Sequence, residues 1–178
     1  DNCAHGFIMN YETNLCFIPL DNVSPVRLFI SCFVPDDKKE AISKQLNDLN
    51  YKHLKYDFTQ FGLVVGLNAM TLKKLMAVID DIVDSVYGIL KNNEILDSSY
   101  CPICGNSLDE TNSYVANVAF GKVTIDNDCK EKINQTIEKE NKEFDDAPNN
   151  YLKGLAGALV GALISVVAFI VLYMIGFI

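Results

Sequence analysis

VRLFISCFV, residues 26–34, sits between Pro25 and Pro35. A continuous apolar, β-branched run bounded by prolines fits a strand buried on both faces. The elements on either side are read against this one. Asp36 or Asp37 is placed to cap a helix running to about Leu49. Its apolar positions Ile42, Leu46 and Leu49 fall at i, i+4 and i+7 and form one stripe on a charged helix. From His53 the period changes to two. Leu54, Tyr56 and Phe58 alternate with Lys55, Asp57 and Thr59, as a half-buried strand requires. Gln60, Phe61 and Gly62 can turn the chain into a partner strand over Leu63–Leu67. A single long helix is expected from Thr71, with Leu72, Leu75, Met76, Ile79, Ile82, Val83, Val86 and Leu90 on its apolar face and Asn92 and Asn93 at its end.

The order strand, helix, strand, strand, helix predicts a small α/β sandwich, with both helices on one face of a mainly antiparallel sheet. Upstream, Gly6–Tyr11 and Leu15–Leu20 read as two short strands joined by a turn at Glu12, Thr13 and Asn14. Tyr51, Tyr56, Phe58, Phe61 and Met76 read as core filling. Asp80, Asp81 and Asp84 read as a solvated helix face.

The chain has 178 residues and a formal charge of −8. Lys153 is the only charge from Leu152 onward, so residues 1–151 carry −9, the total of −8 less that +1. Acidic surface is repelled by phosphate backbones, which argues against nucleic acid as a partner. No basic amphipathic stretch offers attachment to anionic lipid. No signal peptide is visible at the start, and the chain reads as a piece of a longer protein. No acid, base and nucleophile converge in a pattern that would identify an enzyme.

The most specific short motif is YCPICG, residues 100–105, joined to the first module by Ser98 and Ser99. Two cysteines spaced C-x-x-C can hold one metal ion from a tight turn, with Pro102 fixing the backbone and Gly105 permitting a left-handed residue after it. The spacing suits a reduced compartment. A hairpin follows, Tyr114–Ala119 and Lys122–Ile125 around Gly121. The second ligand pair should come after it, but the sequence there is Asp126-Asn127-Asp128-Cys129 instead of a second C-x-x-C.

Zinc accepts carboxylate oxygen as well as thiolate, so Cys101, Cys104 and Cys129, with Asp126 or another fourth ligand, form a set for a structural zinc ion. Two other readings stand beside it: a ribbon that keeps its fold by packing without metal, and a redox-active Cys101/Cys104 pair. A thioredoxin-like pair would open a helix after a strand, whereas Gly105, Asn106 and Ser107 point to a turn. His5 and His53 read as ordinary surface or strand residues. Cys3, Cys16 and Cys32 read as small buried groups, with a Cys3–Cys16 bridge across the first hairpin as the alternative where that end faces an oxidising space.

Lys130–Phe144 is dense in Lys and Glu, and Ile133, Ile137 and Phe144 make a narrow apolar seam along it. DDAPNN, residues 145–150, breaks that helix. From Leu152 to Ile178 the chain is apolar, and about 20 such residues cross a hydrocarbon core. The expectation is a transmembrane helix over 151–178. A buried hairpin of two short core helices is the alternative. Gly157 and Gly161 would let this helix pack closely on a protein partner or on further helices of the same chain. Lys153 and the reduced cysteines would put residues 1–151 on the cytoplasmic side.

The segments YCPICG, IDNDC (125–129), the Lys/Glu helix and NNYLKGLAGALVGAL (149–163) resemble a group of uncharacterised bacterial multi-pass membrane proteins. Those carry a zinc-ribbon-like knuckle ahead of Gly/Ala-rich membrane helices. The resemblance covers residues 100–178 and implies further spans and a metal-binding role for Cys101, Cys104 and Cys129. It implies no activity.

The expected whole is an α+β protein. A small α/β domain spans 1–97, a zinc-ribbon-like knuckle and hairpin 98–129, a charged helix and linker 130–150, and the membrane helix 151–178. The expected function is a membrane-anchored interaction or regulatory protein. The alternatives are an accessory subunit of a transporter or membrane enzyme, and a thiol redox sensor.

Overall fold

The computed structural model describes residues 3–17, 26–49, 51, 54–67, 72–146 and 151–174, the last segment with side chains at 155–170 and 172–173. His53, the expected helix start at Thr71 and residues 147–150 of the expected break lie outside the described residues.

Two compact units divide the chain, Asp1–Asn134 and Gln135–Ile178. The first is built on a five-stranded sheet of β1 (Cys3–Ile8), β2 (Tyr11–Phe17), β3 (Val26–Ser31), β4 (Leu54–Thr59) and β5 (Gly62–Leu67), in the order β1-β2-β3-β5-β4. Every neighbouring pair is antiparallel. β3 is central, and its run Leu28–Ser31 is buried on both faces, as the proline-bounded stretch predicts.

One face of the sheet presents Leu28, Ile30, Leu63 and Val65 to Ile42 and Leu46 of α1 (Asp36–Asp48) and to Ile82, Val86, Tyr87 and Leu90 of α3 (Ile79–Asn92). The opposite face presents Phe29 and Val64 to Val123, Ile125, Cys101 and Cys129. The second hairpin, β6 (Ser113–Val118) and β7 (Gly121–Asp126), lies on that face, followed by α4 (Asn127–Asp146).

Several expectations need correction. The first turn is at Met9 and Asn10, both with positive φ (49° and 71°), and Glu12, Thr13 and Asn14 are buried inside β2. Each of those three polar side chains has a hydrogen-bond partner, described below. The long helix from Thr71 is broken: a short α2 (Leu72–Met76) and a turn at Ala77 and Val78 precede α3. Met76 is 61% exposed, so it does not fill the core. The Lys/Glu helix packs through Ile133 alone of its expected seam, while Ile137 and Phe144 are exposed.

The transmembrane helix is also overturned. α5 runs Tyr151–Met174, and among the described residues no helix is long and apolar enough to cross a membrane. The class is therefore α+β without a membrane-spanning element among the described residues.

Candidate metal centre

The knuckle is built by its own backbone. The Cys101 N–H donates to Asn106 O and the Gly105 N–H to Cys101 O, both at 2.8 Å. Below them the Leu108 N–H donates to Ser99 O at 2.8 Å. Gly105 has φ +73°, and a Cβ there would press on the Phe33 ring at 3.1 Å. The turn thus needs glycine twice over, for its left-handed backbone and for its seat on Phe33.

β7 brings the third cysteine. Its free edge, the side not paired with β6, points a row of N–H groups at every second residue. The Lys122 N–H donates to Asn14 Oδ1 at 2.9 Å, and the Asn14 amide returns a bond to Lys122 O at 2.7 Å. The Thr124 N–H donates to Glu12 Oε2 at 2.7 Å. The Asp126 N–H donates to Cys101 Sγ at 3.4 Å. Side chains of β2 and the knuckle thus do for this edge what another strand would do.

Glu12 is a buried carboxylate at 1% exposure. It also accepts from Thr124 Oγ1 at 3.2 Å, and its Oε1 lies 2.9 Å from His5 Nε2. On the other face of β2, Thr13 Oγ1 is 2.6 Å from Tyr87 OH and Tyr11 OH donates to Ile95 O at 2.8 Å.

With β7 held in this way, α4 begins at Asn127 and places Cys129 in its first turn. The Asp126 carboxylate caps the helix by accepting the Asp128 N–H at 2.7 Å. The ligand atoms of Cys101, Cys104 and Cys129 all lie within 4.8 Å of one another, close enough to hold a metal ion. Cys101 and Cys129 are buried and Cys104 is exposed. Asp126, expected as the fourth ligand, reaches the cluster through its backbone N–H, and its carboxylate is not in that group.

The thiols are electrostatically unequal. Burial works most strongly against a Cys101 thiolate. Donation from the Asp126 N–H, then from the Cys104 and Ile103 N–H groups and the Cys104 thiol, outweighs it and holds Cys101 below the ordinary thiol value. Burial, the hydrogen bond with Cys104 and the charge of Cys101 push Cys129 up to about 12. A divalent cation between them would favour the charged form of all three.

The remaining cysteines are separate. Cys3 and Cys16 face each other across β1 and β2 and form a disulfide, so the bridge holds and not the reading as two free buried groups. Cys32 is free and buried. Sequence reasoning missed Glu12 and Asn14. The available signal was their spacing of two, which puts both side chains on one face of a strand. Comparison with protein-family models, curated proteins and solved structures finds no match.

Proposed function

We propose that this chain is a non-catalytic interaction or regulatory protein in which Cys101, Cys104 and Cys129 hold a structural zinc ion. The ion would fix the knuckle, the β6–β7 hairpin and the start of α4 on the sheet as one recognition surface. The observation that carries this reading is the approach of the three thiols to within 4.8 Å. The three are set by two separate structures, a tight turn and a helix start. Soft thiolate donors favour zinc over hard cations such as magnesium or calcium.

The exposed apolar side chains of α5, among them Leu155, Leu159 and Leu163, support an interaction role, because apolar surface of this kind is ordinarily covered by a partner. The test is metal content of the purified chain. Wild type should carry zinc, and Cys101→Ser and Cys129→Ser should each lose it. Metal-free wild type would reject the reading.

The lowered Cys101 thiol beside an exposed Cys104 also favours a second reading, a thiol pair that responds to oxidants. Formation of a Cys101–Cys104 disulfide in zinc-loaded protein under mild oxidant, detected by mass spectrometry, would support that reading. Zinc retention with all three thiols unmodified would count against it.

A further inference from the structure

Three sulfur ligands leave a tetrahedral ion one position short. This inference rests on the reading of Cys101, Cys104 and Cys129 as a metal centre. Among the described residues, no fourth Cys, His, Asp or Glu joins the group within 4.8 Å. The carboxylate expected from the sequence, Asp126, commits one oxygen to the Asp128 N–H at 2.7 Å, and its own N–H is given to Cys101. The cluster opens on one side, because Cys104 is exposed while Cys101 and Cys129 are buried. It also lies at the amino end of α4, a helix of 20 residues, where negative charge is favoured.

We propose that the fourth position takes an exogenous ligand, the thiolate of a small soluble thiol. The softness of the three sulfurs selects a soft donor. The helix terminus favours an anion over a neutral imidazole. With two of the three sulfurs buried, the approach admits a small molecule more readily than a folded surface. On binding, the thiol gives up its proton, its sulfur bonds to the ion, and the water that held the position leaves. One proton and one water are released, and no oxidation state changes.

Cobalt(II) in place of zinc reports the number of bound thiolates through its sulfur-to-cobalt charge-transfer absorption. The full chain is loaded with cobalt and titrated with 2-mercaptoethanol, with ethanol and imidazole as parallel titrants. The expected result is a saturable rise of about one third in that absorption as three thiolates become four. Ethanol should leave it unchanged, and imidazole should add no charge-transfer intensity. The Cys3→Ser plus Cys16→Ser chain should give the same rise, which places its origin away from reduction of the bridge; loss of the rise there would overturn the proposal.

Cobalt that binds in a Cys101-dependent manner but does not respond to 2-mercaptoethanol would overturn the open position and leave the metal centre standing. A rise with 2-mercaptoethanol that appears in Asp126→Asn but not in wild type would assign the position to that carboxylate and overturn the proposal. Failure to bind cobalt at all, or binding that survives Cys101→Ser, would remove the metal centre and this inference together.

Discussion

Glu12 shows what a single buried side chain does here. It accepts hydrogen bonds from the Thr124 N–H and hydroxyl and faces His5. Glu12→Ala would leave the Thr124 N–H of β7 without an acceptor and His5 without its hydrogen-bond partner. The expected cost is about 2–3 kcal/mol, read as a lower denaturant midpoint with unchanged slope. An unchanged midpoint would mean that β7 does not depend on this clamp. Tyr87 gives a test in pH. Burial is the main cause that pushes its hydroxyl up to about 12, although the bond with Thr13 opposes this. The neutral form is the one that folds, so its contribution is intact below pH 10 and is lost as pH rises through 12. Alkaline unfolding should therefore begin above the ordinary tyrosine range. Tyr87→Phe should lower stability at neutral pH by about 1 kcal/mol through loss of the Thr13 bond, and should reduce the alkaline loss. Residues such as Glu12 are hard to read in sequence because a polar group satisfied inside a sheet and one exposed in a turn have the same letters.

At the scale of elements, the β6–β7 hairpin depends on Gly121. Its φ is +128°, and a Cβ there would collide with the Asn14 side chain. Gly121→Ala should destabilise by about 1–3 kcal/mol, and should weaken metal binding if the hairpin positions Cys129. Full stability with unaltered metal affinity would show that the hairpin can sit elsewhere. The strands and helices with a clean period were legible: β3 through its proline bounds, α1 through Ile42 and Leu46, β4 through its alternation. The break between α2 and α3 was not, because Ala77 and Val78 carry no proline or glycine to mark it. In α5, every side chain described over 155–170 is exposed and a Cβ at Gly157 or Gly161 meets nothing within 4 Å. Replacing both glycines by Ile should lower the apparent oligomer mass in light scattering if a second helix packs there. An unchanged mass would reject that packing.

Across the whole molecule, the sheet carries two cores of different kinds. The helical side buries a broad apolar cluster, whereas the hairpin side buries Phe29, Val64, Val123 and Ile125 together with two of the three thiols. The smaller core has less apolar area to stabilise it, and a metal ion would supply what it lacks. The knuckle was legible from the spacing of Cys101 and Cys104, and Cys129 from its place after the hairpin. The role of Asp126 was not, since capping a helix and binding a metal call for the same carboxylate. The central claim is that the three thiols bind one ion that the fold uses. Its most direct measurement is the zinc content of the full chain purified under reducing conditions, paired with thermal unfolding before and after chelation. The account predicts about one zinc per chain, its loss in Cys101→Ser, and a lower unfolding temperature once the metal is removed. Wild-type protein free of zinc, or a zinc content and unfolding temperature unmoved by Cys101→Ser, would contradict it.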